Sequence, residues 1–177
     1  MQLALFGIEQ LVETFLTNSM RADIHRSIAR NSAFTLVEIM IVVAIVGLLL
    51  AIGIPNFIRA RENAINSRYA SDMRVVTTAF IEYSFDYGQY PADSTPAVVP
   101  SGMADYLLKV PWTKPDAFGG KWDWDNGQFG VKVGVSTYRP TASTGQLQHY
   151  DLVVDDGDLL TGNFRQRTAG YITIIEP

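Results

Sequence analysis

Residues 34–54 read FTLVEIMIVVAIVGLLLAIGI, a run that is apolar around a whole helix except at Thr35 and Glu38. A helix needs about 20 such residues to cross a bilayer, and this run is long enough. An ionised carboxylate is costly in hydrocarbon, so Glu38 is a functional candidate by default. Pro55 follows, with Gly53 just before it. Proline removes one helical hydrogen bond and crowds the preceding turn, so the pattern predicts a softened or kinked helix there. The helical period then resumes. Ile58, Ile65, Tyr69, Met73, Val76, Phe80, Tyr83 and Tyr87 recur at spacings of three, four and seven. These place one apolar stripe along a helix. The prediction is a single helix from about 34 to about 87, apolar all round in its first half and amphipathic in its second.

Gly88 and Pro91 supply a stop for this helix. Residues 101–110 suggest a short helix capped by Ser101, with Met103, Tyr106 and Leu107 on one side. Residues 121–125 read as a strand, and Asp125-Asn126-Gly127 as a tight turn. Phe129, Val131, Val133, Val135 and Thr137 then alternate with smaller or polar residues at period two. Strand, turn and strand make a β-hairpin. Residues 146–154 fit a helix through Leu147, Tyr150 and Val154, or a strand through Tyr150, Leu152 and Val154. The helix is preferred. Residues 171–175 (YITII) predict a last strand. The expected fold class is α+β, with a small antiparallel sheet covering the amphipathic half of the long helix. The expected division is 1–33, a leader; 34–54, a membrane half-helix; and 55–177, a head.

Trp122 and Trp124 are two apart, so a strand sends both to one face. They are a candidate partner or carbohydrate surface. The competing reading packs both on the long helix, with Lys121, Asp123 and Asp125 outward, and two Trp rings would dominate so small a core. Composition narrows the function. From Val75 onward there are 7 basic and 12 acidic side chains, so the head is acidic and lacks the basic stripe of a nucleic-acid binder. The chain has no cysteine, which excludes disulfides and Cys-ligated zinc. His25 and His149 stand apart, without a zinc-protease, Walker or nucleophile-elbow motif, so no enzyme is expected.

Phe34-Thr35-Leu36-Val37-Glu38, the apolar run and Pro55 together resemble the type IV pilin superfamily, which includes minor pilins and the pseudopilins of type II secretion. The resemblance implies a precursor with a basic leader, supplied here by Arg21, Arg26 and Arg30. It implies cleavage between Ala33 and Phe34 by a prepilin peptidase, methylation of the new amine, and residence in the bacterial inner membrane with the head in the periplasm. Glu38 would neutralise the N-terminal amine of a neighbouring subunit in a filament. The implied partners are other copies, other pilin-like subunits, the peptidase, an inner-membrane assembly platform and the lipid bilayer. Family leaders usually end in Gly, and Ala33 departs from that. The leader is also long, and a start at Met20 would give the compact form. A secretory signal would carry a shorter apolar core without an acid. The alternative of another class is a monomeric membrane-anchored binding domain.

Asp151, Asp155, Asp156 and Asp158 gather around Gly157. Acidic turns with a glycine suit the oxygen coordination of Ca2+, although the full EF-hand spacing is missing. Some pseudopilins carry calcium in their C-terminal loop, so the resemblance adds Ca2+ as a candidate cofactor. The plainer reading is a solvated turn at a helix end.

Overall fold

The computed structural model describes residues 35–177. The chain falls into two units, residues 1–47 and 48–177. In the first unit, the described residues are the opening turns of α1, whose full extent is Leu36–Tyr87. Thr35 precedes its first turn, and Glu38 is the acid within that turn. Helical geometry continues through Pro55. From Leu36 to Ile58 every described side chain is exposed. Aliphatic residues with no protein around them need lipid or other helices as their environment.

The second unit builds a sheet on the other half of α1. The strands are β1 Lys121–Asn126, β2 Val133–Tyr138, β3 Phe164–Arg167 and β4 Gly170–Glu176, with α2 Thr144–Val154 between β2 and β3. Their order is β1-β2-β4-β3, antiparallel throughout. Trp122 faces Thr137 and Trp124 faces Val135 across the β1–β2 hairpin. Alternation sends Trp122, Trp124, Val133, Val135, Phe164 and Tyr171 into the core, against Tyr69, Met73, Val76 and Phe80 of α1. Tyr69 stacks on Trp122 at 5.6 Å between ring centroids, and Phe80 stacks on Trp124 at 3.7 Å. The helical stripe is therefore the core face, as its period predicts. Its ends lie outside the core: Ile58 and Tyr87 are exposed.

Several expectations need correction. Residues 101–110 form successive turns and not a helix. Met103 and Val110 donate their N–H groups only three residues back, and Gly102 at φ +83° sits in the left-handed region. The second strand begins at Val133 because Phe129 (φ 52°) and Gly130 (φ 75°) turn the chain back. Val131 then packs on Ile172 and Ile174, on the sheet face opposite α1. β3, sequence FRQR, went unforeseen. α2 is a helix, N-capped by Ser143, whose hydroxyl accepts the Gln146 N–H.

Candidate assembly and metal sites

Thr35 and Glu38 form a reciprocal pair at the start of α1. The Thr35 N–H and hydroxyl donate to Glu38 Oε2 at 3.1 and 3.3 Å, and the Glu38 N–H donates to Thr35 Oγ1 at 3.2 Å. This is a capping box, which satisfies helix donors that otherwise lack a partner. Its signature, Thr-x-x-Glu, is legible in the sequence, so Glu38 is a helix-capping residue as well as a costly acid. Ala33 and Phe34 lie outside the described residues. Pro55 is placed within α1, on an exposed stretch.

Trp122 and Trp124 are buried, at 1% and 0% exposure. Neither is presented as a ligand or partner surface, which removes that candidate. The Trp124 indole N–H donates to the Pro91 carbonyl at 3.0 Å, so its polar atom is also used internally. Asp123 and Asp125, expected outward, are buried on the opposite sheet face. Arg167 of β3 covers them: Nη2 lies 2.6 Å from Asp123 Oδ2, and Nη1 lies 3.9 Å from Asp125 Oδ1. Phe129 lies over this guanidinium, 4.6 Å from ring centroid to Cζ. The Ser136 hydroxyl donates to Asp125 Oδ2. Burial, then the nearby Asp125, raises the Asp123 carboxyl to about 6 against the pull of Arg167. His149 hydrogen-bonds Asn63 at 3.1 Å, a tie between the two helices.

The acidic loop follows α2. Asp151, Asp155 and Asp156 each bring a carboxylate oxygen within 4.8 Å of the others, while Asp158 is not one of this group. Two members are committed to the loop. Asp155 Oδ2 accepts the N–H groups of Asn163 and Phe164, and Asp156 accepts from the Asp158 N–H at 2.9 Å and the Thr161 hydroxyl at 2.7 Å. Asp158 Oδ1 accepts the Leu160 N–H at 3.0 Å. Gly162 closes the loop at φ +70°, where a Cβ would fall 2.0 Å from Asp155 Oδ2. Asp151 differs from the rest. It is fully buried, and neither of its oxygens has a hydrogen-bond partner. Burial, then Asp156, Asp155 and Asp158, raise its carboxyl to about 6; the Gly157 N–H eases this without reaching hydrogen-bond geometry. An orphaned buried carboxylate beside two more is a donor set that fits a hard divalent cation.

Residues 28–54 match the family described as the prokaryotic N-terminal methylation motif. The chain is 48% identical over 50 residues to the type IV major pilin protein of Myxococcus xanthus, covering 28% of this chain and 23% of that protein. It is 31% identical over 87 residues to the type II secretion system core protein G of Aeromonas hydrophila, covering 49% of this chain and 56% of that one. Against the core protein G of Klebsiella pneumoniae the identity is 36% over 62 residues, covering 35% and 44%. The chain thus spans about half or less of the curated relatives it matches. No solved structure matches. The N-terminal segment of the chain carries the prokaryotic N-terminal methylation motif and is similar there to a type IV major pilin and to the type II secretion system core protein G.

Proposed function

We propose that the chain is a filament subunit, either of a type II secretion pseudopilus or of a type IV pilus. Residues 1–33 are a leader, cut by prepilin peptidase between Ala33 and Phe34, and the amine of Phe34 is methylated. Residues 34–54 hold the subunit in the inner membrane through lipid, with the head in the periplasm. An assembly platform then extracts it into a filament. The observation that carries this reading is the methylation motif over 28–54, whose part from Leu36 onward is helix with apolar side chains that have no partner within the described chain. In bilayer and filament alike, those side chains avoid water, so transfer from one to the other exposes little apolar surface. Glu38 pairs with the Phe34 amine of a neighbour, and Pro55 softens the helix beside the span. The protein is a substrate of the peptidase and methylase and has no catalytic role of its own. The test is mass spectrometry of the N-terminal peptide from the membrane fraction. A chain that begins at methylated Phe34 is expected. One that still begins at Met1 or Met20 would overturn the reading and favour the anchored binding domain.

A second reading concerns the head and rests on Asp151. Asp151, Asp155 and Asp156 would hold Ca2+, which would supply the missing partner for the Asp151 carboxylate and fix the 155–163 loop to α2. This site has structural chemistry only.

A further inference from the structure

The tip of α2 exposes Leu152, Val153 and Val154, and Leu160 lies exposed a few residues beyond. The exposed carboxylates Asp156 and Asp158 sit in the same short loop. Val153 and Val154 also form one wall of an open groove of about 1130 Å³, whose other wall is the small-residue face of α1 at Ser67, Ala70 and Ser71. An apolar and acidic surface next to a helix-lined groove fits an apolar and basic helix. This chain carries one. The turn Phe57–Arg61 exposes Phe57 and Ile58 at 72% and 50%, and Arg59 and Arg61 are exposed beside them. Among the described residues, neither arginine lies within ion-pair distance of an acid.

We propose that the α2 tip and the acidic loop of one subunit dock the Phe57–Arg61 turn of a second copy. Phe57, Ile58 and Arg61 share one side of the helix, so the apolar pair meets Val153 and Val154 while Arg61 faces Asp156 and Asp158; Arg59, on the far side of the turn, adds only longer-range attraction. Charge complementarity selects the occupant: a second copy offers the apolar pair and a cation on one helical face. Arg74 also lines the groove and adds a positive charge to its α1 wall, so the incoming cation sits at the acidic loop. The contact is head-to-tail, with different surfaces on the two copies, and such contacts propagate into open helical assemblies. This rests on the filament reading and adds which surface of the head meets the neighbouring helix.

The chain has no cysteine, so introduced pairs report without background. The full-length variant Ile58→Cys/Val153→Cys is expressed in the cells that process it, and both membranes and sheared filaments are oxidised. Both positions are exposed, so folding is not at stake. A ladder of crosslinked multimers is expected from the double variant, at most dimers from either single variant, and loss of the ladder when Arg59 and Arg61 are both changed to Glu. The control pair Ile58→Cys/Leu108→Cys uses another exposed position and should give no ladder. Filaments without the ladder would overturn the docking and leave the filament reading standing. A ladder equal to that of the control pair would overturn it too. A ladder in membranes of cells that make no filament would support the docking and count against the filament.

Discussion

Arg167 on one edge strand reaches Asp123 on the other edge strand, with 2.6 Å between Nη2 and Oδ2. β4 and β2 lie between them; Arg167 pairs with Gly170, which carries no side chain, and its Cζ lies 5.6 Å from the Tyr138 ring centroid. The pair is buried to within 6% exposure, and Asp125 adds a second carboxylate to the single guanidinium. Removing the cation strands two buried anions, whereas removing one anion leaves an ion pair.

The two substitutions should therefore differ. Arg167→Met is expected to destabilise the head by about 3–5 kcal/mol, the usual cost of orphaning a buried charge. Asp123→Asn should cost about 1 kcal/mol or less, because Asp125 remains to pair with Arg167 and a surplus negative charge is gone. Urea unfolding of the detergent-solubilised chain measures both. Equal losses would show that the cluster acts through packing alone.

The same surplus of carboxylates gives a direction to pH dependence. Asp123 and Asp151 are each raised to about 6 from an ordinary 3.8. Between those values the folded chain binds protons that the unfolded chain does not, so stability increases as pH falls from about 7 to about 4. Asp156 is lowered, mainly by the Asp158 N–H, and its contribution is lost only below that window. In chelator, the melting temperature at pH 5 should exceed that at pH 7.5 by several degrees. A melting temperature that falls over this range would contradict the burial of both groups.

Calcium should reverse part of this. If Asp151, Asp155 and Asp156 take Ca2+, a concentration about 100-fold above its Kd stabilises the head by about 2.7 kcal/mol. Asp151→Asn should lose that gain, and in chelator at pH 7.5 it should be as stable as the parent or more so, since it removes a buried unpaired charge. A parent melting temperature indifferent to Ca2+ would leave the loop as a hydrogen-bonded turn.

How much of this was legible in the sequence depended on the range of the signal. The long helix, the β1–β2 hairpin and the shared face of Trp122 and Trp124 follow from local period, and all appear. The helix expected at 101–110 failed on backbone geometry: Pro100 and Pro111 flank it, and Gly102 takes a left-handed φ. β3 was hidden because Phe164-Arg165-Gln166-Arg167 shows one core residue and an arginine whose burial depends on a partner. That partner, Asp123, lies 44 positions away. No local pattern distinguishes such an arginine from a solvated one, or an Asp on the outer sheet face from one sealed beneath it. The Asp cluster shows in the sequence as proximity, but only the fold shows that Asp151 is orphaned and that Asp158 stands apart.

Glu38 holds two roles that substitution can separate. Its carboxylate closes the capping box with Thr35, and it is the proposed partner of a neighbouring amine. Glu38→Gln keeps a side chain able to complete the box, since Gln serves at that position, but removes the charge. Glu38→Leu removes both. Neither makes membrane insertion harder, because each takes a carboxylate out of hydrocarbon. If the intersubunit charge pair drives assembly, both variants should reach the membrane at parental levels and both should lose filaments, at about 3–5 kcal/mol per broken pair. If the box alone matters, Glu38→Gln should assemble and Glu38→Leu should not. Filament yield in the sheared fraction, normalised to membrane-bound subunit, decides between them, and a normal yield from Glu38→Gln would sink the charge pair.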